Sequence, residues 1–215
     1  MSITITNILI LITVVVSYAT LKNMDLFLKY RHHPYTESRQ KSYITWLTSG
    51  FLHGDYVHLA VNMFVLWQFG NTVERIYVEE FGAMGSILYL IMYLSAIVFA
   101  NLPSFRKHKD NPQYTAVGAS GAVAAVIFTY ILFFPWNGLY IYGIIPLRAV
   151  VGGLLYLLYE QWASQNAQDN VGHDAHFAGA IYGMLFIVLV RPSIYNDFVD
   201  RLIYQMPPFQ EIFIF

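Results

Sequence analysis

Apolar residues in this chain gather into runs long enough to cross a bilayer, at residues 3–22, 56–74, 82–101, 114–134, 147–163 and 174–190. A helix needs roughly 20 mostly apolar residues to span the hydrocarbon layer, since each residue rises only about 1.5 Å. Closed barrels are the other permitted solution, but these runs lack the strict apolar/polar alternation of barrel strands. The pattern predicts an all-α fold, a polytopic membrane helical bundle with six transmembrane helices. One membrane domain would occupy residues 1–190 and a C-terminal tail residues 191–215.

The polar stretches between the runs predict the connections. Residues 23–55 form the longest, and their end carries Trp46 and Phe51, rings suited to the membrane interface. Residues 102–113, with Pro103, read as a polar loop that stops the third span, and residues 164–173 as another. The tail is assigned no structure. Ser17 and Ala19 give the first run the small-x-small look of a signal-peptide cleavage site, but a charged leader is missing and a span is preferred. Arg148, near the start of the fifth run, must snorkel or find a partner.

Composition narrows the chemistry. Of 215 residues, 57% are hydrophobic and 12% charged, which excludes an ordinary soluble domain. Cysteine is absent, so thiol catalysis, disulfides and cysteine metal sites are excluded. With a net charge of −1 and scattered basic residues, no nucleic-acid partner is expected. The connections after spans 1, 3 and 5 hold Lys22, Lys29, Arg31, Arg39, Lys41, Arg106, Lys107 and Lys109, against Arg75, Arg148, Arg191 and Arg201 on the other side. Alone, that bias would put the amino terminus outside.

Polar side chains inside apolar spans cost energy and tend to serve function. His58 and Asn62, four apart where span 2 opens, share a helical face and can converge on one oxygen; equally, they can be interhelical glue. Ser120 lies between Gly118-Ala119 and Gly121 at the start of span 4, where unpartnered N–H groups of a first helical turn suit an oxyanion. The bland alternative there is small-residue packing. At the start of span 6, His176 precedes Gly179 and Gly183, a G-x-x-x-G face permitting the close backbone approach that a Ser120–His176 hydrogen bond requires. An even number of spans separates these elements, so all three lie near one membrane face.

Taken together, H-x-x-x-x-H-x-x-x-N-M (His53, His58, Asn62, Met63), G-x-S-G (Gly118, Ser120, Gly121) and A-H-x-x-G-x-x-x-G (Ala175, His176, Gly179, Gly183) resemble the rhomboid family of intramembrane serine proteases, over about residues 46–190. The resemblance implies a catalytic dyad of Ser120 and His176 without an acid. It also implies an oxyanion hole of His58, Asn62 and the backbone N–H groups of Ala119 and Ser120, with Gly118, Gly121, Gly179 and Gly183 as structural support, and a structural Glu74. No cofactor or metal is implied. The implied partners are single-span membrane protein substrates in a lipid bilayer. The family's arrangement would make this a multi-pass integral protein of a bacterial cytoplasmic (inner) membrane, with its amino terminus inside and its active site toward the outer face. By analogy, residues 164–173 with span 5 form a mobile gate.

Two departures from the family stand out. Ile44 and Thr45 replace a Trp-Arg pair common in bacterial members, so the first loop must be anchored differently. Ala124 replaces a tyrosine that stacks on the catalytic histidine, leaving Tyr182 or another span to orient His176. Asp174 is set aside as a third catalytic member, because at two residues' separation it faces away from His176 on a helix. Two rival readings remain: a non-catalytic rhomboid-like protein binding client helices, and a metal-dependent hydrolase built on His53, His58, His173 and His176.

Overall fold

The computed structural model describes residues 4–141, 145–167, 169, 171–208, 211 and 212. The remaining residues, which include parts of the first run, the 164–173 connection and the tail, lie outside the described set. Helix α1 (Ile5–Lys22) starts on a Thr4 cap and occupies the first run. The long connection is itself helical in pieces: α2 (Met24–Tyr30), α3 (Pro34–Gln40) and α4 (Thr45–Thr48), the last running into a 3-10 turn at Ser49–Phe51. Helix α5 (Tyr56–Val65) passes through a π-helical stretch at Leu66–Gly70 into α6 (Asn71–Phe81). A turn at Gly82–Met84 then reverses the chain into α7 (Gly85–His108).

Helix α7 corrects the expected loop at 102–113, since it continues across Pro103 to His108. Proline removes one hydrogen bond but does not abolish a helix braced on both sides. Here Asn101 Nδ2 donates to the Trp46 carbonyl at 2.8 Å, and Arg106 and Lys107 occupy the last turn, where positive charge complements the helix dipole.

The fourth run is also shorter than expected. Helix α8 spans Ser120–Phe133, 14 residues, or roughly 21 Å at the usual rise, less than the ~30 Å hydrocarbon layer. The stretch before it is held open by a backbone pair, His32 N–H to Ala116 O and Ala116 N–H to His32 O, both 3.0 Å. Eleven of the 14 residues of α8 are buried, so it is the central helix of the bundle. A two-stranded antiparallel hairpin follows, β1 (Gly138–Ile141) and β2 (Ile145–Arg148), in the connection between the fourth and fifth runs and reaching into the start of the fifth. Helices α9 (Ala149–Asn166), α10 (His173–Val190) and α11 (Ile194–Tyr204) complete the chain, the last within the tail. Arg148 finds its partners in the carbonyls of Trp136 and Glu211, at 3.0 and 2.9 Å.

Among the described residues, α1, the α5–α7 stretch and α10 are long and apolar enough to cross a membrane. Their outward faces carry large apolar side chains such as Leu11, Val15, Phe64, Leu185 and Leu189, while polar groups turn inward. Glu74 takes the structural place expected of it. Its carboxylate accepts the N–H groups of Ile5 and Thr6 and the Thr6 hydroxyl, each at 2.8 Å, and so satisfies orphan donors at the start of α1 with a negative charge. The first loop is anchored on buried Glu37, which accepts Thr45 Oγ1 (2.6 Å), Trp46 Nε1 (2.9 Å) and His33 N–H (2.8 Å), and pairs with His32.

The contact that sets the bundle's geometry is between α8 and α10. A Cβ placed on Gly179 would overlap the Gly121 carbonyl, and one on Gly183 would overlap the Ala125 carbonyl. The two backbones therefore touch. By contrast, a Cβ at Gly152 meets only Leu147, at 3.9 Å. Gly179→Ala is expected to lose about 1–3 kcal/mol of stability as overpacking, whereas Gly152→Ala should be neutral or stabilising. Thermal midpoints of the detergent-solubilised variants check this, and equal midpoints would contradict it.

Candidate active site

Ser120 is the first residue of α8. The turn that delivers it depends on Gly118, whose φ of +133° lies where side chains are rarely tolerated. Gly118 N–H donates to Ser49 O at 3.0 Å, tying this turn to the end of the first loop. Helix α10 brings His176 opposite, in its own first turn. Ser120 Oγ and His176 Nε2 are 2.7 Å apart, within proton-transfer reach.

His176 is oriented by groups that come from helix α9. Its Nδ1 lies 3.1 Å from Oε1 of Glu160, a buried carboxylate on α9. An ionised carboxylate only accepts, so in neutral His176 the proton sits on Nδ1 and the lone pair of Nε2 faces the Ser120 hydroxyl. Tyr156, also on α9, sets its ring nearly parallel to that of His176, at 6.5 Å between centroids. Tyr182 points elsewhere, donating to Ser95 Oγ at 2.7 Å and stacking on Phe99. Asp174 is directed away, onto Lys107 at 3.1 Å.

Of the expected oxyanion residues, His58 reaches the same turn. A Cβ at Gly118 would meet His58 Nε2 at 3.0 Å and Ser120 Oγ at 3.7 Å, so the missing side chain leaves a notch between them. Asn62 is buried one turn from His58, with one amide hydrogen on the His58 carbonyl (2.9 Å) and a second to offer. The Ser120 N–H belongs to an open first turn. Ala119 N–H, in contrast, is aimed at His53 Nε2 over 3.4 Å.

His53 is a brace. The Ser17 hydroxyl donates to Phe51 O and so accepts from His53 Nδ1–H, each at 2.8 Å, which leaves Nε2 to accept Ala119 N–H. Helix α1 is thereby linked to the residue before Ser120. The four-histidine metal arrangement does not assemble: among the described residues the ligand-type cluster is Glu160, His173 and His176, without His53 or His58. Within that cluster the Nδ1 atoms of both histidines are engaged by Glu160.

The Rhomboid domain matches residues 40–193, most of the chain. The chain belongs to the rhomboid family. This rhomboid is 31% identical over 157 residues to RHOMBOID-like protein 12, mitochondrial, of Arabidopsis thaliana, covering 68% of this chain and 46% of that protein. It is 28% identical over 161 residues to the human Presenilin-associated rhomboid-like protein, mitochondrial, covering 70% and 39%. Against Rhomboid-like protein 11, chloroplastic, of Arabidopsis thaliana the identity is 32%, over 67% and 51%. The chain thus spans about half or less of the length of these relatives.

The residue that sequence reasoning passed over in this rhomboid is Glu160. The signal was present, since a carboxylate inside the apolar run 147–163 is costly unless partnered. Its partners lie 13 and 16 residues away on another helix, beyond any local spacing rule.

Burial, reinforced by the neighbouring His58 ring and opposed by Asp55, pushes His53 down to about 3. Unfolded histidine takes up a proton near pH ~6.5. Folded His53 refuses it until about 3, so its stabilisation is complete above the unfolded value and is lost as pH falls between the two. His53→Asn should lower the thermal midpoint at neutral pH yet flatten its decline between about pH 7 and 5. A variant with the wild-type slope would contradict this assignment.

Proposed function

We propose that this rhomboid is an intramembrane serine endopeptidase, cutting transmembrane or membrane-proximal segments of single-span membrane proteins with Ser120 and His176. The observation that carries the reading is the 2.7 Å approach of Ser120 Oγ to His176 Nε2. Family membership supports it. Ser120 Oγ attacks the scissile carbonyl while its proton passes to His176 Nε2. The tetrahedral oxyanion sits in the notch at Gly118, served by Ser120 N–H, His58 and Asn62; Ala119 N–H contributes only by leaving His53.

Collapse of the intermediate breaks the C–N bond, and His176 returns the proton to the leaving amine. Water then gives a proton to His176, its oxygen attacks the ester, and the released Ser120 recovers that proton. Next to His173 a polar cavity lined by Lys107, His108, Tyr114, Asp169 and Asp174 offers water a route toward the site.

In the same reading, six spans are formed by α1, α5–α6, α7, α8, α9 and α10, within one domain over residues 1–190. The amino terminus is cytoplasmic and the site faces the outer side of a bacterial cytoplasmic membrane, although the named relatives are organellar. Helix α9 with residues 164–173 is the side on which substrate enters. Support comes from its lipid-exposed Leu154, Leu158 and Trp162, and from the few side chains that it buries.

In vesicles carrying a single-span substrate, Ser120→Ala and His176→Ala should abolish cleavage. Asn62→Ala should reduce kcat by about 10²-fold, the scale for losing one oxyanion donor. Cleavage that survives Ser120→Ala would overturn the proposal.

A further inference from the structure

Glu160 is 3% exposed inside a membrane bundle, where an unpaired carboxylate would be prohibitive. Each of its oxygens meets one imidazole: Oε1 meets His176 Nδ1 at 3.1 Å, and Oε2 meets His173 Nδ1 at 2.6 Å. The other nitrogen of His173 meets Asp169 at 3.1 Å. Both His173 nitrogens thus face carboxylates, the arrangement of a doubly donating imidazolium whose charge offsets that of Glu160. Tyr159 adds an edge contact to the His173 ring, 5.7 Å between centroids.

We propose that Glu160 is a positioning residue, the third member of a Ser120–His176–Glu160 relay, with His173 clamping its second oxygen. This rests on the protease reading above and departs from the acid-free dyad that family resemblance implies. The carboxylate acts through His176 alone. It holds the Nδ1–H tautomer, fixes the ring plane, and faces the positive charge that appears when Nε2 takes the Ser120 proton. Glu160 remains ionised throughout, and the Nδ1 proton stays on the ring. The clamp explains why one carboxylate serves two rings: with Oε2 held at 2.6 Å, the remaining freedom of Oε1 is small. Because Glu160 rides on α9, the orientation of His176 follows the position of that helix.

The test compares wild type, Glu160→Gln and Glu160→Asp in vesicles, by cleavage kinetics, fluorophosphonate labelling rate and thermal midpoint. Gln keeps the shape and can still hydrogen-bond. The relay predicts that Glu160→Gln lowers kcat and labelling rate by about 10²-fold or more with KM within about threefold, and that Glu160→Asp recovers about tenfold, with midpoints close to wild type. Glu160→Gln rates within about threefold of wild type would overturn it.

Should the variants not fold, ¹⁵N-histidine NMR of wild type decides, with the His176 signal assigned by its loss in His176→Gln. The proton of neutral His176 is expected on Nδ1, and a proton on Nε2 would overturn the relay. That measurement needs no turnover. A wild type that neither cleaves nor labels defeats the protease reading alone, whereas an active wild type matched by Glu160→Gln defeats the relay alone.

Discussion

Everything at the candidate site depends on two backbones touching. Helices α8 and α10 meet where Gly179 lies on the Gly121 carbonyl and Gly183 on the Ala125 carbonyl, with no room for a methyl group at either glycine. Lipid supplies no hydrophobic drive between helices, so dispersion contacts across such small-residue faces must hold them. The same closeness lets two short side chains in the first turns of those helices come within 2.7 Å. Larger residues in the seam would separate the helices, and Ser120 and His176 with them.

Around that seam, polar connections fix the ends of the helices. Ser17, His53 and Ala119 N–H form one chain of hydrogen bonds, and Ser49 O takes the N–H of Gly118, so the first loop grips the turn ahead of Ser120 from two directions. Glu37 gathers the loop itself, through Thr45, Trp46 and His33. From the opposite side α9 contributes Glu160 and Tyr156 to His176. Burying these polar groups is tolerable because each one named finds a partner. The result is a polar site at one end of an apolar bundle.

Much of this was legible from residue pattern, because the constraints are local. Glycines at the seam, His176 one turn before Gly179, and His58 with Asn62 on one face all follow from helical spacing. What escaped was set by partners distant in sequence. The start of α8 at Ser120, several residues into its apolar run, reflects the backbone pairing of Ala116 with His32 and the positive φ of Gly118. The extension of α7 through Pro103 reflects support from the first loop, including Asn101 on the Trp46 carbonyl. Glu160 was one acidic residue in an apolar run until α10 placed two histidines on it.

The central claim is that Ser120 is a nucleophile activated by His176 across the α8–α10 seam. Its most direct measurement is peptide mapping of the covalent adduct formed by a fluorophosphonate with the protein in a bilayer. A single phosphonylated residue at Ser120, absent when His176 is replaced by Ala, is the predicted result. Modification at another residue, or equal modification of Ser120 without His176, would contradict the account.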